Sequence, residues 1–298
     1  MLTRRRFIAI SAALAPSLAL AKGRDLHVET GLAMGAQVTL RLDHPDAPRL
    51  AALAMAEIRR LEAVFSLYLP DSALSRLNRT GRLDAPPFEL LECLALAGSV
   101  HAASGGRFDP TVQPLWRAEA EARIAGQPLS DPARAAAQAL VGWQDVALSP
   151  AAITLRPGMA LTLNGIAQGH VADRVAALLA GNGLSRALID TGEMVALPEG
   201  DWPVDLAAGG SFTLRGRALA SSAPLGMTFG GDGVTSHILD PVTGRPVRSR
   251  WRAVSISADT AALADALSTA ACLLRDEADI RAMCARFADA RLVTAVSR

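Results

Sequence analysis

Segments of helical period and of strand period follow one another irregularly from residue 28 to residue 296. No strand–helix–strand unit recurs, and this order restricts the fold more than composition does. "VETGLAMGAQVTLRLD" alternates around Gly35 and reads as a strand with a glycine break. "PRLAALAMAEIRRLEAVFSLY" is helical, Pro70 and Asp71 start a new helix, and "FELLECLALAGSVHAASGG" is a helix stopped by Gly105 and Gly106. "DPARAAAQAL" reads as a solvated helix without chemistry. "AITLRPGMALTLNG" suggests a hairpin around Pro157 and Gly158, and Gly165 to Gly183 a helix ended by glycine. "SRALIDTG", "FTLRGRALASSA" and "WRAVSISA" read as strands. "DTAALADALSTAACLL" is a helix, and "EADIRAMCARFADARLVTAV" a last helix and strand. Without a regular repeat the class is α+β. No internal repeat, low-complexity tract or linker divides the chain, so one large domain is expected.

Charge and residue usage remove several functions. With 298 residues and a net charge of +1, the chain shows no basic excess of the kind that marks nucleic-acid binding. Lys22 is the only lysine, so the rest of the chain has no lysine nucleophile or Schiff-base former, and a P-loop is excluded. Cys93, Cys272 and Cys284 are scattered without C-x-x-C spacing and read as buried thiols rather than as a zinc site or a disulfide framework. His27, His44, His101, His170 and His237 show no H-x-x-x-H pair, and no G-x-S-x-G elbow occurs.

The first residues have the form of an export signal. "TRRRFIAI" places consecutive arginines before an apolar stretch that closes on Ala19-Leu20-Ala21, a small-residue cleavage pattern. The apolar run is too short for a membrane span. The twin arginine followed by phenylalanine resembles a Tat signal, the alternative being a Sec signal rich in arginine. Residues 1–21 are therefore expected to be the signal, and residues 22–298 a periplasmic domain that does not span the membrane.

Several residues have the right types for chemistry, each with a plain structural alternative. Asp265 and Thr269 are four apart on an expected helix and project from one face. There they would share a hard cation such as Mg²⁺, or be a surface acid and a threonine bonded to its own helix. "SHILDPVTGRPV" sets His237 before a Pro-Gly turn, either a simple hairpin or a loop that holds a base against a substrate. Gly165 and Gly169 open a helix whose free N–H groups suit a phosphate, although the dinucleotide fingerprint is missing. Tyr68, the only tyrosine, is either a stacking platform or a core residue. "GGRFDP", with Arg107, Phe108 and Asp109, is either a positioned acid or a helix stop.

Taken in order, "MGAQVTL", "FSLYLPDSALSRLN", "GGRFDPTVQPLW", "LNGIAQGHVADR", "ALIDTGEMVAL", "SHILDPVTGRPV" and "LADALSTA" resemble the ApbE family of FAD:protein FMN transferases over residues 34 to 270. The resemblance implies a T-fold-like α+β domain of helices and antiparallel sheet. It implies Mg²⁺-dependent transfer of FMN from FAD, through a phosphoester bond, to a threonine or serine hydroxyl of an acceptor flavoprotein, with release of AMP. It implies metal ligation by Asp265, Thr269 and the carbonyl of Ala167, and deprotonation of the acceptor hydroxyl by His237. Met34, Tyr68, Arg107, Phe108, Asp109, Asn164, His170, Ile238 and Ser268 match positions implied to contact FAD.

The chain departs from that pattern in three places. Ala167-Gln168-Gly169 stands for Ala-Lys-Gly, Gly192-Glu193-Met194 for Gly-Gly-Asp, and His170 for the tyrosine that usually follows Ala-Lys-Gly. The "NGIAQG" and "TGE" variants look like the NosX-like branch linked to nitrous-oxide respiration, whose acceptor is a membrane flavoprotein. Two rival functions share these residues. One is an Mg²⁺-dependent FAD pyrophosphatase giving FMN and AMP, and the other a periplasmic FAD-binding or delivery protein without catalysis.

Overall fold

The computed structural model describes residues 26–207 and 209–298. The expected signal at 1–21 lies outside the described residues. A seven-stranded sheet organises the chain, and its strands are β1 (His27–Ala33), β2 (Ala36–Leu42), β3 (Ala187–Asp190), β4 (Met194–Ala196), β5 (Ala218–Ser222), β6 (Trp251–Ala258) and β7 (Arg291–Ser297). They lie side by side in chain order, and every neighbouring pair is antiparallel. The sheet is thus a meander interrupted by long insertions, and the expected α+β class holds. Helices α1 (Ala47–Phe65), α2 (Ala73–Thr80), α3 (Phe88–Ala103), α4 (Gln113–Ile124), α5 (Asp131–Gln138) and α6 (Ala167–Gly181) enter between β2 and β3. Helices α7 (Ala261–Ala271) and α8 (Glu277–Cys284) enter between β6 and β7.

Alternation along the strands sorts their side chains to two faces. Ala187, Ile189, Val195, Ala218, Ala220, Val254 and Ile256 join the main core, on the side of the helices. Leu188, Ala196 and Leu219 face a smaller cluster closed by Trp202, Val204 and Leu214 of the hairpin Trp202–Asp205 and Ser211–Leu214. Helix α1 contributes Leu50, Ala54, Ile58, Leu61 and Phe65 to the main core, a stripe at helical spacing. Helix α7 is buried nearly all round and packs on α6, β5 and β6, so it is an internal helix.

Three local readings change. The "glycine break" near Gly35 is a tight hairpin turn: Ala33 pairs with Ala36, and Met34 and Gly35 both take positive φ (53° and 77°), the two-residue turn suited to strand twist. No hairpin forms around Pro157, because Ala152–Thr154 pairs with Ala147–Leu148 and Arg82–Asp84 instead. The helix expected from Gly165 begins at Ala167 and ends at Gly181. Helix α5 is exposed along most of its length, yet its Arg134 is buried.

Candidate functional site

Helix α6 packs against α7, the helix that carries the expected metal ligands Asp265 and Thr269. Gly169 permits this approach, because a Cβ there would run into the backbone of Ala261 and Ala262. Asp173, four residues and about one turn further along the same face, accepts from the N–H groups of Ala261 (2.7 Å) and Ala262 (2.9 Å) and so caps α7 from a neighbouring helix. Burial raises the pKa of its carboxyl to about 7. Gly165 fits equally closely, since a Cβ would stand 2.9 Å from Thr269 Oγ1. The glycines thus fit helix packing, and the backbone N–H of Gly169 is engaged by Asp265 rather than left free for an anion.

Asp265 is 3% exposed in the middle of α7, and its Oδ2 has no hydrogen-bond partner. Burial, and next the negative charge of Asp173, raise its pKa, with the Gly169 N–H opposing them. An acid held this way in an apolar helix carries a large desolvation penalty unless something else meets it. One turn on, Thr269 Oγ1 lies 3.3 Å from Ser222 Oγ, which also bonds Ser268 Oγ at 2.7 Å. Ser268 itself is fully buried and donates to the carbonyl of Asp265 at 3.0 Å. Ala167 opens α6 beside them and is 2% exposed. The orphaned Asp265 oxygen and the Thr269 hydroxyl, one turn apart on α7, are oxygen donors of the kind that fits a hard divalent cation and not a soft one. Among the described residues no three His, Cys, Asp or Glu side chains converge on a metal position, so carbonyl, hydroxyl or substrate oxygens must complete such a shell.

His237 precedes the two-residue ladder Leu239–Asp240 with Arg245–Pro246, so the expected hairpin forms. Its Nδ1 lies 2.9 Å from the carbonyl of Met227, a partner that only accepts, so Nδ1 carries the proton and the neutral ring holds its lone pair on Nε2. Burial lowers its pKa, while the carbonyls of Met227 and Pro224 oppose the shift. The turn is fastened from outside. Arg107 Nη1 meets both oxygens of Asp240 at 3.2 Å, Arg134 Nη1 donates to the Gly244 carbonyl at 2.9 Å, and Gln138 Nε2 donates to the Val242 carbonyl at 2.6 Å. Arg134 also holds Glu119, which is 1% exposed, at 3.1 Å. Helix α5, read from sequence as a solvated helix without chemistry, braces the loop that carries His237.

The other expected residues fall into separate local arrangements. Tyr68 is 41% exposed and hydrogen-bonds Asn164, which joins "FSLY" to "LNG". Met34 occupies the hairpin turn, and its N–H donates to Glu62 Oε1 at 3.3 Å. Phe108 is buried at 6%, and its carbonyl meets His101 Nδ1 at 2.9 Å. Asp109 Oδ1 accepts from the Thr111 N–H (2.8 Å) and Oγ1 (2.6 Å), so its carboxylate shapes the following turn. His170 is buried edge-on to Phe65, 3.6 Å from Glu92 Oε2, with its pKa lowered by burial. Ile238 joins the main core. Sequence reasoning left out Asp173 and Ser222 as parts of this region, and met Glu193 only as a departure from the family pattern. Asp173 left a trace in its spacing, four residues beyond Gly169 on one helical face.

Glu193 is 8% exposed, and its Oε2 has no partner. Burial raises its pKa, followed by the charges of Asp265 and Asp190, against a hydrogen bond from the Ser221 backbone. It stands in the turn just before β4, whose Val195 faces the helices while Met194 between them packs on the opposite cluster.

Residues 34–292 match the ApbE family model. A protein of Klebsiella pneumoniae (strain 342) named FAD:protein FMN transferase is 30% identical over 243 residues, 75% of this chain and 74% of its own length. One of the same name from Escherichia coli (strain K12) is 26% identical over 295 residues, 88% of this chain and 82% of its own. The apo crystal structure of the Pseudomonas stutzeri flavinyl transferase ApbE superposes with a TM-score of 0.76 at 25% identity, covering 91% of this chain and 95% of that one. With a meander sheet, an internal acid-bearing helix and a family match over most of its length, the chain belongs to the ApbE family.

Proposed function

We propose that this protein transfers FMN from FAD to a threonine or serine hydroxyl of an acceptor flavoprotein, releasing AMP. The observation that carries this reading is the buried, orphaned Asp265 oxygen on the helical face of Thr269, in a chain whose relatives are named FAD:protein FMN transferases. In the reaction, the acceptor hydroxyl oxygen forms a bond to the phosphorus of the FMN half. The bond from that phosphorus to the bridging oxygen breaks, and AMP departs with the bridging oxygen. The hydroxyl proton goes to Nε2 of His237, which burial keeps neutral and the Met227 carbonyl keeps in the required tautomer. A positioned base of this kind contributes roughly 10²–10⁴-fold. Asp265, Thr269 and the Ala167 carbonyl would hold Mg²⁺, which supplies charge neutralisation at the diphosphate oxygens.

Tyr68, with Asn164 fixing its hydroxyl, offers a partly exposed ring for stacking. Arg107, Phe108, Asp109, Met34, His170, Ile238 and Ser268 complete the proposed FAD surroundings. Export of the mature chain to the periplasm, and an acceptor at the membrane, belong to the same proposal. The pattern of the first residues supports the export, and no helix among the described residues is long and apolar enough to cross a membrane.

The test incubates purified protein with FAD, Mg²⁺ and a flavoprotein fragment carrying a candidate acceptor threonine, and reads intact mass. An FMN-sized gain that His237→Ala slows and Asp265→Ala abolishes is the expected result. FMN and AMP released without any gain, across acceptors, would replace the proposal with FAD hydrolysis. Unaltered FAD would replace it with binding alone.

A further inference from the structure

We infer that Glu193 supplies a second carboxylate to the divalent cation held at Asp265, so that this acid pair binds the cation before FAD arrives. The inference rests on the proposed metal role of Asp265. Its own observations are three. Glu193 and Asp265 are each more than nine-tenths buried, and each ends in an oxygen without a hydrogen-bond partner. Among the described residues neither forms an ion pair with an arginine or histidine, the usual fate of a buried acid. Their remaining bonds come from backbone N–H groups, Ser221 for Glu193 and Gly169 for Asp265, and both donors border the candidate site.

Strand geometry explains why the acid stands at 193. Val195 faces the helices and Met194 the opposite cluster, and Glu193, in the turn directly before them, is buried within reach of the Asp265 charge. An acid at position 194 would point to the other face, toward Trp202 and Leu214. Two ionised carboxylates confined together without water repel each other and are poorly solvated, and a hard cation removes both penalties at once. Charge count on the ligands is also what tunes the affinity of such sites. The second carboxylate therefore raises cation affinity in the absence of substrate phosphates.

The test is Mn²⁺ titration of the full chain without FAD, counting free Mn²⁺ by electron paramagnetic resonance, alongside Glu193→Gln, Glu193→Asp and Asp265→Asn. The wild type is expected to bind one Mn²⁺, Glu193→Gln to weaken it about tenfold or more, Glu193→Asp to retain most of it, and Asp265→Asn to lose it. Thermal melting in chelator gives a second reading: Glu193→Gln raises the apo midpoint, yet gains less than the wild type when Mn²⁺ is added. Equal Mn²⁺ affinity in Glu193→Gln and wild type, or no binding by the wild type without FAD, overturns the inference. FMN transfer with an unchanged Glu193→Gln affinity would sink this inference and leave the transferase standing. Mn²⁺ binding lost in Glu193→Gln, with no transfer by the wild type, would do the reverse.

Discussion

Replacing Gly169 by alanine tests the claim that helix crossing positions the acid-bearing helix. The added Cβ meets the backbone of Ala261 and Ala262, which cannot rotate away as a side chain would. Alanine favours the helix by up to about 1 kcal/mol. Against this stand an overpacking penalty of roughly 1–3 kcal/mol and weakening of bonds to charged groups, each contributing about 1.5–3 kcal/mol. The bonds at risk are Gly169 N–H to Asp265 and Asp173 to Ala261 and Ala262. The net is a destabilisation of roughly 2–4 kcal/mol, a fall in Tm of about 4–16 °C at about 2–4 °C per kcal/mol for a domain near this size. The assay is thermal melting followed by circular dichroism in chelator, with Gly181→Ala as control. A Cβ at Gly181 meets nothing within 4 Å, so that variant is expected to melt at or slightly above the wild type. A Gly169→Ala midpoint equal to or above the wild type would refute the packing argument.

Other changes have separate signatures. Arg134→Ala leaves Glu119 buried with a weakened counter-charge and is expected to cost about 3–5 kcal/mol in chemical denaturation, most of it recovered in the double variant Glu119→Leu/Arg134→Met. Arg107→Gln breaks a half-exposed pair with Asp240, so stability changes by less than about 1 kcal/mol. The His237 turn loosens, however, and steady-state kinetics should show a raised KM for FAD. The rate of transfer should fall on the acid side, where His237 gains a proton. Since burial lowers its pKa from 6.5, the inflection lies below 6.5, and His237→Ala removes it from the pH profile. An inflection above 6.5 would contradict the burial argument.

What could be read from the sequence, and what could not, follows from the range of each interaction. Asp265 and Thr269 share a helical face by spacing alone, and helix α7 forms where its periodicity places it. The His237 turn is local and was legible for the same reason. The hairpin at Met34–Gly35 was muted because methionine occupies a left-handed position usually held by Asn, Asp or Gly. Arg134 looked like one more surface arginine, because its partners Glu119 and Gly244 lie in other elements. Glu193 stood out only as a departure from the family pattern. Its burial beside Asp265 depends on a strand and a helix about seventy positions apart being packed together.

The most direct measurement is stoichiometry: AMP released against FMN bound to acceptor, in one reaction with FAD and Mg²⁺, for wild type and Asp265→Ala. The account predicts one AMP for each acceptor molecule modified, no free FMN, and neither product from Asp265→Ala. AMP in step with free FMN while the acceptor stays unmodified would contradict it.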